Sequence, residues 1–177
     1  GKHNSDINIL QKKNKLEIKI FEKKYIINNI LYSDIELENM SSAIAACVSI
    51  NLKKSNIIKS LEKLENPPGR LEKICKNNNY NIFVDYAHTP DALKKILLSK
   101  TIYKKKPNLV FGCGGNRDKS KRLKMGSIAS RYANKVYVTD DNPRDEEPAE
   151  IRKKIISKCK NAQNIDSRKN AIIKAVN

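Results

Sequence analysis

The first third of the chain changes from an alternating to a helical spacing of its apolar residues. Residues 15–21 alternate polar and apolar side chains, and residues 24–31 continue the apolar pattern after a short polar break. Such a pattern over two neighbouring segments predicts a β-hairpin with one buried face.

Two helices are expected to follow this hairpin. The segment Asn39-Met40-Ser41-Ser42 is typical of a helix start, and the apolar run 43–50 comes directly after it. A second amphipathic helix is predicted over residues 55–64, and Asn66-Pro67-Pro68-Gly69 ends it. The hairpin and the helices form a small α+β region without an evident site.

Strand-like and helix-like segments alternate from residue 81 onwards. The predicted segments are strands at 81–84, 108–111 and 135–139, a weak strand near 164–165, and helices at about 89–99, 121–132, 148–160 and 172–176. This succession with short connections predicts an α/β fold with a mostly parallel sheet.

Polar or glycine-rich segments follow the three stronger strands of this region. They are residues 85–88, 112–122 and 140–144. Because ligands bind beyond the carboxyl ends of parallel strands, we expect these three loops to meet at one edge of the sheet.

The segment Gly112-Cys113-Gly114-Gly115-Asn116-Arg117-Asp118-Lys119 lies between a strand and a helix. Glycines there let backbone amides approach an anion, and the helix N-terminus adds positive potential. Further positive charge comes from Arg117, Lys119, Lys121 and Arg122. The spacing matches neither the dinucleotide fingerprint nor the phosphate loop of nucleotide-binding proteins. A plain glycine-rich turn in the left-handed conformation, with solvated lysines, explains the segment equally well.

The loop Asp140-Asp141-Asn142-Pro143-Arg144 combines two acids, an amide and a guanidinium, with a proline that stiffens the backbone. These groups can hold the ammonium and the carboxylate of a zwitterionic amino acid. An Asp/Asn-Pro turn that caps the next helix is the simpler alternative.

Three further residues are candidates for binding. Asp85 could accept hydrogen bonds from ribose hydroxyls or a metal-bound water, and His88 could bind a ligand or transfer a proton. Arg70 could reach a phosphate. The structural alternatives are a helix cap by Asp85 or Thr89, a structural histidine and a surface arginine on an edge strand.

The net charge of +17 raises the alternative of a nucleic-acid-binding domain. The lysines are spread along the whole chain, and aromatic residues make up only 6%, so base stacking has little support. A salt-dependent affinity for DNA would favour this alternative. No long apolar run or secretory signal is evident, and the four scattered cysteines fit a reducing cytoplasm.

Three strings resemble the Mur ligase family in the order in which they occur. They are Asp85-Tyr86-Ala87-His88-Thr89-Pro90-Asp91-Ala92-Leu93, residues 111–119 and Thr139-Asp140-Asp141-Asn142-Pro143-Arg144. The last string is similar to the pattern of the branch that adds meso-diaminopimelate. The resemblance implies a Rossmann-like, mostly parallel C-terminal domain at residues 69–177. Residues 1–68 would be the α+β tail of a central ATPase domain.

The resemblance implies an ATP-dependent amide ligase of peptidoglycan synthesis. ATP with Mg²⁺ would phosphorylate the D-Glu carboxylate of UDP-MurNAc-L-Ala-D-Glu, and the amine of meso-diaminopimelate would attack the acyl phosphate. A cytoplasmic monomer without a nucleic-acid or membrane partner is expected. Other Mur or folylpolyglutamate-type ligases remain a near alternative.

Site residues are carried over from the family motifs. Arg117, Asp141, Asn142, Pro143, Arg144 and His88 would bind the substrates, and Arg70, Asp85 and Asn39 would lie on the ATP side. Ser42 replaces an asparagine of the family pattern near the adenine, which weakens the Asn39 assignment. The family's phosphate loop, its carbamylated lysine and a Gly-Lys-Gly-His-Glu segment are not in the sequence. We therefore assign no catalytic residue or metal ligand here and expect no activity from this segment alone.

Overall fold

The computed structural model describes residues 6–28, 33–65, 67–76, 80–99 and 104–177, with only the backbone at residues 75 and 76. The chain forms two compact units, Gly1–Tyr86 and Ala87–Asn177. The elements of the first unit are β1 (Ile7–Lys12), β2 (Lys15–Ile20), β3 (Lys23–Asn28), α1 (Asp34–Ser49), α2 (Lys54–Leu61), β4 (Glu72–Lys76) and β5 (Asn81–Val84). Those of the second are α3 (Pro90–Leu98), β6 (Leu109–Phe111), α4 (Ser120–Tyr132), β7 (Val136–Val138), α5 (Pro148–Ile156), β8 (Ala162–Asn164) and α6 (Arg168–Val176).

An antiparallel meander in the order β1–β2–β3 forms the sheet of the first unit. Leu16, Ile18 and Ile20 on β2 are fully buried, and they pack in one core with apolar residues of α1 and α2. The predicted hairpin is confirmed up to Asn28, and its last residues, 29–31, lie outside the described residues. Strand β1 was not predicted from the sequence.

Helix α1 begins at Asp34, so the predicted start after Ser42 is wrong. Ser33 is the N-cap: its Oγ accepts a hydrogen bond from the Glu36 amide at 3.3 Å, and the Glu36 carboxylate accepts one from the Ser33 amide at 2.6 Å. This capping box precedes the apolar run, and the first helical turn that follows Ser33 is acidic. Asn39 is therefore an exposed residue within α1 rather than a residue of its N-terminus.

Strands β4 and β5 form a separate antiparallel hairpin, with Glu72 opposite Val84. The prediction of a buried parallel strand at residues 81–84 is therefore wrong in direction and in burial. Ile82 and Phe83 are only half-buried, and no pairing links β5 to the parallel sheet within the described ranges. A four-residue apolar run cannot by itself distinguish these two kinds of strand.

The second unit confirms the α/β prediction. Its sheet has the order β6–β7–β8, and both pairings are parallel. Val136 and Val138 on the central strand are fully buried together with Met125 of α4 and Ile155 of α5. The predicted helices are all present, although α5 ends at Ile156 and α6 begins at Arg168.

The predicted domain boundary at residues 68/69 differs from the division between the compact units at 86/87. The β4–β5 hairpin accounts for the difference, because it groups with the first unit. The boundary therefore stays a prediction. None of the helices in the described parts of the chain is both long and apolar enough to cross a bilayer.

Candidate functional site

Two loops leave the same edge of the parallel sheet. Strands β6 and β7 are neighbours, and the pairing continues past their ends because the Thr139 amide donates to the Phe111 carbonyl at 3.0 Å. Residues 112–119, which we call the glycine loop, follow β6. Residues 140–147, which we call the Asp-Asn-Pro-Arg loop, follow β7.

The two loops contact each other through their backbones. The Gly115 amide donates to the Asn142 carbonyl at 2.8 Å. A Cβ on Gly115 would overlap the Pro143 carbonyl, and one on Gly112 would overlap the Thr139 carbonyl. Glycine is required here because a second loop lies against the first.

This contact changes both interpretations of the glycines that the sequence left open. None of the three glycines of the loop has a positive φ, so the loop is not a left-handed glycine turn. The Gly115 amide donates to the Asn142 carbonyl and the Asn116 amide to the Glu146 carboxylate, so both bind the other loop. At the start of α4, Asp118 accepts a hydrogen bond from the Ser120 amide at 2.8 Å.

An ion pair between a buried arginine and a half-buried glutamate joins the two loops. The Arg122 guanidinium donates to both carboxylate oxygens of Glu146 at 2.9 and 2.8 Å, and Arg122 is only 1% exposed. The Asn116 amide also donates to Glu146, at 2.7 Å. The hydrogen bonds from Arg122 and then from Asn116 lower the pKa of Glu146 to about 2.

The sequence indicates only one member of this pair. Arg122 is one of several cations near the glycine loop, whereas no sequence pattern singles out Glu146. The available signal was an arginine in a lysine-rich chain, since arginine binds carboxylates bidentately. Nothing in the spacing indicated which acid it pairs with.

The predicted arginines lie on these two loops. Arg144 is exposed, has a positive φ of 51°, and donates through Nη1 to the Gly115 carbonyl. Arg117 is exposed, and no hydrogen bond or ion pair to it is found in the described part of the chain. Asn116, next to it, binds Asp145 of the other loop at 2.7 Å. The structure thus brings together the two segments that carry Arg117 and Arg144.

Two arginines from α5 and α6 support the first residues of the Asp-Asn-Pro-Arg loop. Arg152 forms an ion pair with Asp140. Arg168 donates to the Asp140 carbonyl at 3.2 and 3.0 Å and lies 3.7 Å from the Asp141 carboxylate. Asp141 and Asn142 are exposed, and Pro143 is half-buried. Sequence analysis missed Arg168, because only the fold brings α6 to this loop.

The remaining candidates lie elsewhere. Asp85 accepts a hydrogen bond from the Leu71 amide at 2.9 Å, and the Arg70 guanidinium lies 4.8 Å from the centre of the Tyr86 ring. His88 is exposed, and its carbonyl accepts a hydrogen bond from Lys121 at 3.2 Å. The structure shows the predicted meeting for the two loops that follow β6 and β7, whereas β5 belongs to a separate antiparallel hairpin.

The structure distinguishes between the helix caps that the sequence left open. Thr89 caps α3, since its Oγ1 accepts a hydrogen bond from the Ala92 amide at 3.3 Å, and Asp85 does not have this role. Residues 140–144 do not cap α5 either, because its N-cap is Glu147, whose side chain makes no capping hydrogen bond. Their polar groups are thus not explained as a helix cap.

The loop pair presents guanidinium, carboxylate and carboxamide groups at one rim. Such a set suits a small zwitterion whose charges are several atoms apart. Within the described ranges, no group of three or more His, Cys, Asp or Glu side chains could hold a metal ion.

A family comparison agrees with this architecture. The family described as "Mur ligase, glutamate ligase domain" matches residues 69–177. This match covers more than half of the chain, and the chain belongs to the Mur ligase family.

The similar relatives are diaminopimelate ligases by name. The UDP-N-acetylmuramoyl-L-alanyl-D-glutamate–2,6-diaminopimelate ligase of Bradyrhizobium diazoefficiens is 40% identical over 163 residues, which cover 92% of this chain and 34% of the relative. The ligase of the same name from Rickettsia bellii is 44% identical over 142 residues, which cover 78% and 29%. The chain spans about a third of the length of these curated relatives.

Solved structures show the same fold. A structure of a UDP-N-acetylmuramoyl-L-alanyl-D-glutamate–2,6-diaminopimelate ligase is 29% identical with a TM-score of 0.55, and the match covers 97% of this chain and 37% of that one. Mycobacterium tuberculosis folylpolyglutamate synthase complexed with ADP has a TM-score of 0.71 at 17% identity, covering 98% and 40%. The latter likeness concerns the fold alone.

Proposed function

We propose that this chain is the amino-acid-binding part of an ATP-dependent ligase that joins meso-diaminopimelate to UDP-MurNAc-L-Ala-D-Glu in peptidoglycan synthesis. ATP phosphorylates the D-Glu carboxylate, and the amine displaces the phosphate to form the amide. The names of the relatives support the substrates. The loop pair at the edge of the parallel sheet supports the location of the amino-acid site.

The contact between the glycine loop and the Asp-Asn-Pro-Arg loop carries this proposal. Arg117 and Arg144 bind the two carboxylates of diaminopimelate, and Asp141 and Asn142 bind its distal ammonium group. Pro143 restricts the backbone between them. Each group lies on a loop that is hydrogen-bonded to the other, so the backbones that carry these groups are joined before the substrate binds.

The nucleotide side of the proposal concerns the first unit. Arg70 and Asp85 face ATP, and Asn39 lies near the adenine. His88, which belongs to the second unit, lies on the substrate side. The stacking of Arg70 on Tyr86 leaves an oriented guanidinium suited to a phosphate. Mg²⁺ is a further part of the proposal and would assist phosphoryl transfer by neutralising phosphate charge. The ligase acts as a cytoplasmic monomer and needs no nucleic-acid or membrane partner.

The substitution Arg144→Ala tests the amino-acid site. The host is a hybrid in which this chain replaces the matching third of the Bradyrhizobium diazoefficiens ligase. Loss of a charge-assisted bond to a carboxylate is worth about 1.5–3 kcal/mol, so the KM for diaminopimelate should rise about 10- to 100-fold. The KM for ATP should not change.

Arg131→Ala is the matched control, because Arg131 is an exposed arginine on α4 outside the loop pair. It should leave all the kinetic constants within about twofold. An Arg144→Ala hybrid with an unaltered KM for diaminopimelate would contradict the proposed site.

A further inference from the structure

Arg122 occupies an unusual position for a charged residue. Among the described residues, Arg122 is the one charged side chain that is buried, and its Nε has no hydrogen-bond acceptor. Burying a guanidinium is unfavourable unless its partners compensate for lost hydration. A hydrophobic residue would fill the same space at lower cost, so stability alone does not account for an arginine here.

The partners of Arg122 show what the buried charge holds. Its Nη2 also donates to the Gly114 carbonyl at 3.4 Å, so it contacts the glycine loop directly. Glu146, its ion-pair partner, belongs to the Asp-Asn-Pro-Arg loop and accepts a hydrogen bond from the Asn116 amide. One ion pair therefore connects both loops from beneath.

These contacts adjoin both arginines of the proposed site. Asn116 immediately precedes Arg117, and Glu146 lies two residues after Arg144. Asn116 and Arg144 both have positive φ, at 49° and 51°. Non-glycine residues keep this strained conformation only where the surroundings enforce it. The Glu146 carboxylate supplies such a restraint at Asn116.

We propose that Arg122 and Glu146 are positioning residues that fix the separation of Arg117 and Arg144, and that this separation selects an amino acid with two carboxylates. The inference rests on the proposed function, because it concerns the same substrate. Neither residue needs to touch the substrate. A diamino acid with a single carboxylate, such as lysine, cannot use the second guanidinium and gains little from the fixed separation.

The test uses Arg122→Met and Glu146→Gln in the hybrid ligase described above. Methionine fills the buried space without charge, and glutamine keeps the size of glutamate. Each change should raise the KM for diaminopimelate at least tenfold and lower the preference for diaminopimelate over lysine by a similar factor. The KM for ATP should stay the same. The double variant should resemble the single variants, because residues that act as one unit are not additive.

Two further variants separate positioning from general stability. Arg122→Lys keeps the charge but loses the bidentate geometry, so it should recover part of the lost affinity. Lys124→Met, an exposed change on the same helix, should have no effect on any constant. If Arg122→Met does not fold, Glu146→Gln alone provides the test, because it adds no volume to the core.

The outcomes are distinct. Folded variants with an unchanged KM for diaminopimelate would overturn the positioning role while Arg144→Ala still tests the site. A loss of kcat in parallel with thermal stability, with every KM unchanged, would also overturn it, since that is the mark of a structural role. Failure of the unsubstituted hybrid to use diaminopimelate would instead refute the proposed function and remove the basis of the inference.

Discussion

The two compact units of this chain differ in the kinds of side chain that they bury. In the first, β2 and the helices α1 and α2 bury aliphatic side chains, and none of its described charged residues is buried. In the second, an apolar core lies beside a buried arginine that is tied to two loops. The comparison teaches that a charged side chain is buried where two loops must keep a fixed geometry, and not where a core needs only to be filled.

The largest expected effect on stability is in the first unit, whose core is aliphatic. Ile18→Ala removes a fully buried side chain of β2 and should destabilise the first unit by about 4 kcal/mol. The two methionines are convenient reporters, because Met40 lies in the first core and Met125 in the second. Methyl NMR during urea unfolding should show an earlier transition for Met40, while the Met125 transition stays in place.

Ile26→Ala is the control for that experiment, since Ile26 is 58% exposed on the neighbouring strand. Its effect should be below about 1 kcal/mol, the scale of β-propensity differences. Equal shifts of the unfolding transitions of both methionines by Ile18→Ala would show that the two units unfold together. The stabilities of the two cores could then not be compared separately.

A smaller effect is expected where the loops meet in the second unit. Gly115→Ala places a methyl group against the Pro143 backbone and should cost about 2–3 kcal/mol, measured as an earlier Met125 transition. Gly114→Ala is the matched control, because its Cβ would meet the flexible end of Arg144 at 3.1 Å. It should change stability much less. A harmless Gly115→Ala would contradict the close contact of the two loops.

The smallest effect concerns acid stability. The folded-state pKa of Glu146, about 2, lies below its ordinary value of 4.5. The ion pair therefore contributes stability above about pH 4.5, and this contribution is lost as the pH falls through 2. Urea unfolding of the Glu146→Gln variant should show a deficit at pH 6 that narrows at pH 3. A deficit that is independent of pH would mean that the charge of Glu146 is not involved.

The sequence predicted the second unit better than the first for a physical reason. In β6, β7 and the intervening helix, apolar runs, glycines and helix starts all indicate the same βαβ arrangement. In the first unit, the start of α1 depends on the Ser33–Glu36 capping box, which precedes an acidic and weakly apolar turn. Periodicity alone pointed to residue 43, because that is where the apolar run becomes dense.

The site residues differ in the same way. Some are indicated by the local sequence, and others depend on contacts between distant segments. The sequence identified the two loops and their exposed groups, Arg117 and Arg144, because each follows a strand. It did not identify Glu146 or Arg168, whose roles depend on contacts between segments that are 24 and 28 residues apart. The parallel pairing predicted for β5 was wrong, since a four-residue strand gives no sign of whether its neighbour is parallel or antiparallel.

The cysteine in the middle of the glycine loop has a consequence for chemical probes. Cys113 is 3% exposed, lies 3.7 Å from the Met125 sulfur, and has its pKa raised by burial to about 11. Its thiol stays protonated at physiological pH and is a poor nucleophile. Electrophilic inhibitors aimed at this motif would react only while the loops are apart, so the labelling rate of Cys113 measures loop opening.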